Sequence, residues 1–326
     1  MKKKVLIVQP IHKSGVELLE KEVDVVFVPD PSVKTVCIKI RGVHGVIVRT
    51  APFTREIIEC ADKLEVIGRA GVGVDNIDIK AASERGIPVV YTPDANMVSV
   101  AEHTIGFIVA LAKRLCIGDK ATREGNFTVR EEFTAIDLEG KTLGIIGAGR
   151  VGSTLARKCR AAFDMKVLAY DPYISSEKAR EIGVSLCESL QELLARSDFV
   201  SVHVPLTPQT KGLIGEKELK LMKKSAFLIN VARGGVVDEE ALYKALKEKW
   251  IAGAATDVYS EEPPSPDNPL LKAENIILSP HMASLTRECV VRMATGVARG
   301  VLDVLRGNEP KYVANIDFLR NKKGDK

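Results

Sequence analysis

The chain has 326 residues, long enough for two domains of ~100–200 residues each, and 45% of it is hydrophobic, ample for packed cores. Its formal net charge of +4 sits at the ends, in Lys2, Lys3 and Lys4 and in Arg320, Lys322, Lys323 and Lys326, and the body between is weakly acidic. Binding to a phosphate backbone needs a clustered basic face, so nucleic acid is not an expected partner.

The first apolar run, Val5-Leu6-Ile7-Val8, stops at Gln9-Pro10. It is too short for the core of a signal peptide and reads as a strand. Val23 to Val28, Gly45 to Val48, Val66 to Gly68 and Pro88 to Tyr91 follow, separated by amphipathic stretches. Continuous β-branched runs at this spacing indicate parallel strands covered on both faces. A helix is expected from about Ser99 to Ala121, with Ser99 as N-cap and Glu102 at capping-box spacing. A second α/β series opens at Lys141 to Ile146 and continues through Lys166 to Tyr170, Phe199 to Val202, Phe227 to Val231, Ala252 to Val258 and Ile276 to Leu278. The final helix, about Thr286 to Arg306, precedes a polar tail. No stretch approaches the ~20 apolar residues of a membrane span, so no membrane partner is expected. The predicted fold class is α/β, with two doubly wound parallel-sheet domains and a cleft between them. Cys37, Cys60, Cys116, Cys159, Cys187 and Cys289 show neither zinc nor disulfide spacing. They read as buried thiols in a reducing compartment, which makes the cytoplasm the expected location.

Gly147-Ala148-Gly149-Arg150-Val151-Gly152 follows the strand ending at Ile146, and Val151, Leu155, Ala156, Cys159 and Phe163 continue at helical spacing. In a strand, turn, helix context Gly147 permits the turn, Gly149 admits a pyrophosphate and Gly152 lets helix and strand pack closely. Asp171 closes the next strand nineteen residues beyond Gly152, where a carboxylate can take ribose hydroxyls. A carboxylate ~4 Å from a 2′-phosphate costs ~4 kcal/mol at an effective dielectric of ~20, roughly a thousandfold in affinity. The expected cofactor is therefore NAD rather than NADP.

Ligands of open α/β sheets sit beyond the carboxyl ends of the strands. Three late strands run into Arg233, into Asp257 followed by Glu261 and Glu262, and into His281. Oxidising a 2-hydroxy acid needs a carboxylate grip, a base and a hydride acceptor. Arg233 suits the first through its planar fork, and His281 suits the second because imidazole titrates near neutral pH. Glu262 would orient His281 and stabilise its protonated form.

These segments resemble the D-isomer-specific 2-hydroxyacid dehydrogenase family over nearly the whole chain. The similar stretches, beyond Gly147 to Gly152, are Gly68 to Asp78, Thr92 to Asn96, His203 to Thr207, Asn230 to Gly235 and Ser279 to His281. The resemblance implies catalytic Arg233, Glu262 and His281, with Glu262 chosen over Glu261 because it directly precedes the proline. It also implies NAD contacts from Arg150, Val151, Asp171, Val204, Val231, Ala232, Arg233 and Asp257, and substrate contacts around Val72 and Gly73. A discontinuous substrate domain, 1–98 with 285–326, would surround an NAD domain at 99–284. Two helices would form the hinge, and dimerisation would run through the NAD domain. Within the family the likeness is closest to the phosphoglycerate dehydrogenases, in Arg69 to Asp78 and Tyr170-Asp171-Pro172, and no C-terminal regulatory domain is expected. The substrate is then a small 2-hydroxy or 2-oxo acid, with 3-phosphoglycerate first and glyoxylate or hydroxypyruvate next. A non-catalytic NAD-binding regulator is the alternative of a different class.

Two departures from the family pattern stand out. Ala283 replaces a glycine two residues after the histidine, and Phe53 stands where a basic residue is common, which weakens the case for a phosphorylated substrate. Arg49 is either a substrate grip or an ordinary strand-end arginine, and Asn96 either caps the following helix or lies at the substrate and hinge region. His12, His44, His103 and His203 share no ligand spacing, so no metal is expected. Glu239-Glu240 reads as a solvated first helical turn.

Overall fold

A computed structural model describes residues 2–132 and 134–324, without the side chains of 321–324. The chain divides into two compact units, one made of the residues up to Asn96 together with those from Leu285 onward, the other of Met97–Ser284.

The first unit opens with β1 (Lys4–Ile7), α1 (Lys13–Glu20), β2 (Asp24–Phe27), α2 (Val33–Lys39), β3 (Gly45–Val48), α3 (Arg55–Cys60), β4 (Val66–Arg69), α4 (Ile79–Glu84) and β5 (Val89–Val90). Its strands form a parallel sheet in the order β2-β1-β3-β4-β5. Side chains alternate across a strand, so each continuous apolar run serves two cores. Leu6, Val46, Val48, Ile67 and Val89 pack with Phe53, Ile57 and Ile58 on one face. Val5, Ile7, Ile47, Val66 and Val90 pack with residues of the late helix described below on the other.

The second unit contains α5 (Met97–Ala112), α6 (Leu115–Arg123), α7 (Val129–Glu132), β6 (Thr142–Ile146), α8 (Arg150–Phe163), β7 (Lys166–Tyr170), α9 (Ser176–Ile182), β8 (Ser185–Leu186), α10 (Leu190–Arg196), β9 (Phe199–Val202), α11 (Glu216–Leu221), β10 (Phe227–Asn230), α12 (Glu239–Lys247), β11 (Gly253–Thr256), a 3-10 turn (Pro269–Lys272) and β12 (Ile276–Leu278). Its sheet is parallel in the order β12-β11-β10-β9-β6-β7-β8. The chain winds outward from β6 in one direction and then from β9 in the other. The β6–β9 pair is thus the topological switch point at which such sheets bind ligands.

The chain then returns to the first unit as α13 (Arg287–Leu305) and α14 (Ile316–Gly324). Val297, Ala298, Val301 and Leu302 of α13 complete the second apolar face. Gly68 makes this possible, since a Cβ there would lie 2.7 Å from Val301 and 2.8 Å from Val297.

The doubly wound α/β class agrees with the sequence reading, while several local expectations need correction. The helix expected from Ser99 to Ala121 is two helices, broken where Arg114 takes a left-handed conformation (φ 56°). Ser99 lies buried inside α5 and does not cap it. The polar tail contains α14, anchored by buried Asn315, which donates to the Ser83 hydroxyl and the Ile87 carbonyl and accepts from Val89 N–H. Cys159, Cys187 and Cys289 are buried, but Cys37 and Cys60 are partly exposed and Cys116 is exposed. No helix among the described residues is long and apolar enough to cross a membrane.

Candidate active site and dinucleotide cradle

The turn after β6 has the shape its glycines predict. Gly147 has φ 91°, and a Cβ there would lie 2.9 Å from the His203 carbonyl oxygen. A Cβ on Gly152 would lie 2.3 Å from the Gly147 carbonyl oxygen, whereas one on Gly149 would meet open space. The chain is therefore pinched between helix and strand and open over Gly149. Gly149 is the N-cap of α8 and makes no side-chain cap hydrogen bond, an arrangement at a helix N-terminus that suits an anion. Asp171 follows β7 and accepts from Ala148 N–H and Tyr173 N–H, both at 2.9 Å. Its carboxylate is thereby fixed beside the glycine turn. Val204 follows β9 across the switch point, where His203 N–H reaches the Ile146 carbonyl at 2.8 Å. The turn is thus open over Gly149 and has the Asp171 carboxylate fixed at its side, a shape that suits a dinucleotide.

Adjacent strands β10, β11 and β12 deliver the other predicted groups to the same sheet edge. After β10, buried Asn230 folds the next turn by accepting from Ala232 N–H and donating to the Arg233 carbonyl, each at 3.2 Å. Val231 and Ala232 are buried in that turn. Arg233 itself donates to the Ala232 carbonyl at 2.7 Å.

After β12, His281 adopts φ 49°. Its N–H donates to the Asp257 carbonyl at 2.8 Å. The Asp257 carboxylate, 1% exposed, accepts from Met282 N–H at 2.8 Å, Ala283 N–H at 2.9 Å and the Ser279 hydroxyl. His103 Nε2 lies 3.1 Å from that hydroxyl. Asp257 is thus the peg on which the His281 turn hangs, and His103 braces it.

His281 Nδ1 lies 2.6 Å from Glu262 Oε2, and the other Glu262 oxygen accepts from Tyr259 N–H at 3.1 Å. Burial pushes the Glu262 carboxyl up, but the hydrogen bonds from His281 and Tyr259 N–H and the charges of His281 and Arg233 outweigh it. The net shift is downward. Glu262 therefore stays ionised and keeps a proton on Nδ1, which leaves Nε2 as the basic nitrogen.

The four residues expected at the substrate belong to the first unit. Arg49 follows β3, Val72 and Gly73 lie in the loop after β4, and Asn96 ends the segment after β5, so all stand at the carboxyl edge of that sheet. Arg49 donates to the Pro10 carbonyl at 3.1 Å. Gln9 accepts from the N–H groups of Arg49, Thr50 and Ala51, and Asn76 donates to the carbonyls of Arg49 and Ala51. Asn96 Oδ1 is buried and accepts no hydrogen bond, so the helix-cap alternative for Asn96 is not realised. Phe53 is fully buried in the core.

The isolated histidines have local duties. His12 caps α1 by accepting from Ser14 N–H, His44 accepts from Lys4 N–H, and His203 Nε2 pairs with the Ser201 hydroxyl at 2.8 Å. Burial lowers His203 from 6.5 to about 3, so it is neutral. Among the described residues, no three His, Cys, Asp or Glu side chains cluster as a metal site. The sequence places Glu239 in a solvated turn, but its carboxylate accepts from Ser260 N–H at 2.5 Å and from the Asn268 amide at 2.6 Å. The pair Glu239-Glu240 is therefore not simply a solvated turn.

Residues 105–283 match the NAD binding domain family of D-isomer specific 2-hydroxyacid dehydrogenases. D-3-phosphoglycerate dehydrogenase of Methanocaldococcus jannaschii is 44% identical over 98% of this chain and 61% of its own length. The chain thus spans about three fifths of that relative. Glyoxylate reductase of Korarchaeum cryptofilum is 39% identical over 98% of both chains. The fold is also similar to the crystal structure of an NADPH-dependent glyoxylate/hydroxypyruvate reductase from Sinorhizobium meliloti in complex with NADP and malonate. That likeness has a TM-score of 0.86 and 28% identity, covering 96% of this chain and 97% of that one. With a family match over residues 105–283, relatives similar over 98% of the chain, and the glycine turn and histidine–carboxylate pair in place, the chain belongs to the D-isomer specific 2-hydroxyacid dehydrogenase family.

Proposed function

We propose that the protein is an NAD-dependent oxidoreductase that moves a hydride between nicotinamide and C2 of a D-2-hydroxy or 2-oxo acid. The observation that carries this reading is the His281–Glu262 pair at 2.6 Å, at the same sheet edge as Arg233. In the oxidising direction His281 Nε2 takes the hydroxyl proton, and Glu262 stabilises the imidazolium through Nδ1. Arg233 grips the carboxylate and polarises the 2-oxygen. In reduction the same Nε2 returns the proton. The nicotinamide, when bound, supplies the hydride acceptor or donor. Gly147, Gly149, Arg150, Val151 and Gly152 would hold the pyrophosphate, Asp171 the adenosine ribose, and Val204, Val231, Ala232 and Asp257 the nicotinamide end. Asp171 favours NAD over NADP. Arg49, Val72, Gly73 and Asn96 would contribute the substrate contacts. A cytoplasmic homodimer joined through the NAD-binding unit completes the reading, supported by Leu115 and Phe127, which that unit leaves exposed.

The first substrate to test is 3-phosphoglycerate with its oxidised partner phosphohydroxypyruvate. A second reading, reduction of glyoxylate or hydroxypyruvate, is favoured by the burial of Phe53, which leaves Arg49 without a basic neighbour at that position. Loss of NADH absorbance with phosphohydroxypyruvate, hydroxypyruvate, glyoxylate and pyruvate decides between them. Preference for the phosphorylated acid supports the first reading, and preference for an unphosphorylated one supports the second. No turnover on any acid, with NADH still bound, would replace both with a regulator that binds the nucleotide.

A further inference from the structure

Glu262 sits on a stretch that has no regular structure between β11 and the 3-10 turn. A carboxylate that must stay 2.6 Å from an imidazole needs its backbone held, and the structure shows what holds it. Glu239, the first residue of α12, spans the loop with its two oxygens. Oε1 accepts from Ser260 N–H at 2.5 Å, and Oε2 accepts from the Asn268 amide at 2.6 Å. Asn268 in turn caps the 3-10 turn by accepting from Leu270 N–H at 3.0 Å. The loop is thus tied two residues before Glu262 and again six residues after it. From the other side the chain presses on Tyr259 and Ser260 through Gly234, where a Cβ would fall 1.8 Å from the Tyr259 carbonyl oxygen. Tyr259 N–H is the donor that fixes the second oxygen of Glu262. One short segment, 233–239, therefore carries both Arg233 and the carboxylate that secures the partner of His281.

We propose that Glu239 is a positioning residue for the Glu262–His281 pair. It touches neither group and acts by fixing the backbone of residues 259–268, so that Glu262 keeps its register with Nδ1. The role requires two acceptors on one side chain, because both partners present N–H donors. Glutamine has the right size but only one acceptor, and its NH2 would face a second donor. The inference rests on the activity proposed above, and it is tested first by a measurement that needs no turnover.

The full-length protein is compared as wild type, Glu239→Gln and Glu239→Ala, with Glu240→Gln as an exposed neighbouring control. Proton NMR follows the hydrogen-bonded Nδ1–H of His281, assigned by its loss in His281→Gln, and hydrogen exchange follows the Ser260 amide. Both Glu239 variants should speed Ser260 exchange by about tenfold or more and broaden or shift the Nδ1–H signal, while Glu240→Gln changes neither. Steady-state kinetics should then show kcat reduced about tenfold with the KM for NADH within about twofold. In a Glu262→Gln background Glu239→Gln should have little further effect on kcat, since the group it positions is gone. An unchanged Nδ1–H signal, or an equal loss of kcat in the Glu262→Gln background, would overturn the proposal. A wild type inactive on every acid, but with an Nδ1–H signal that responds to Glu239→Gln, would overturn the activity reading and leave the positioning role standing.

Discussion

His281 Nδ1 lies 2.6 Å from Glu262 Oε2, and that carboxylate is anchored separately by Tyr259 N–H. The imidazole is therefore oriented by a group that is itself oriented, and the pairing leaves Nε2 for the proton transfer proposed above. His281→Gln should lower turnover by about 10² or more with little change in NADH affinity. Steady-state kinetics beside a fluorescence titration with NADH checks this, and undiminished turnover would remove His281 from the mechanism.

Asp171 braces the glycine turn through Ala148 N–H, and on the function proposed above its charge would set the cofactor choice. Asp171→Ala should raise the NADP/NAD ratio of kcat/KM by at least about tenfold, the lower end of what a nearby like charge can impose. It should also cost about 1 kcal/mol of stability for the lost hydrogen bonds. The two effects are read by kinetics with both nucleotides and by thermal unfolding without either. A ratio that does not move would place the discrimination elsewhere.

Gly152 has no room for a methyl group, because its Cβ would stand 2.3 Å from the Gly147 carbonyl oxygen. Gly152→Ala should push α8 away from β6, weaken NADH binding by about tenfold or more and destabilise the fold by about 1–3 kcal/mol, as overpacking does. Gly149→Ala meets open space, so it should leave stability nearly intact while still obstructing a bound pyrophosphate. Calorimetric titration and thermal melts of the pair separate the two roles, and equal melting losses would contradict the distinction.

His203 is held neutral by burial, at about 3 against an ordinary 6.5. Between those values the unfolded chain binds a proton that the folded chain does not, so this group's contribution is complete above about pH 6.5 and is lost as the pH falls toward about 3. The melting temperature should be flat with respect to His203 above neutrality and decline below it. His203→Gln, which can still reach the Ser201 hydroxyl, should have a shallower decline. Parallel slopes for the two proteins from pH 7 to pH 4.5 would contradict this assignment.

The sheets were legible because a strand buried on both faces must be apolar at every position, and Gly45 to Val48 is. The glycine cradle and the histidine–glutamate pair were legible because their chemistry demands those residue types after those strands. The break at Arg114 was not, since residues on both sides of it favour helix and only backbone geometry marks the turn. Nor was α14, whose anchor Asn315 is one polar residue bonded to groups more than two hundred positions away. Glu239 was read as solvated because an acidic residue in a first helical turn is ordinary, and only the fold brings Ser260 and Asn268 to it.

The return of the chain as α13 imposes an order of events on synthesis. Gly15 packs against α13 so closely that a Cβ would lie 2.6 Å from the Ala294 carbonyl oxygen, and Val297 and Val301 cover Val5, Ile7, Ile47 and Val66. None of these partners exists until the ribosome has passed residue 285, whereas Met97–Ser284 is one uninterrupted segment. At about 5–20 residues per second, the first ninety-six residues wait on the order of ten seconds or more with one face of their sheet uncovered. The nucleotide-binding unit can finish folding in that interval, and the nascent amino-terminal sheet is the species most exposed to aggregation and to chaperones.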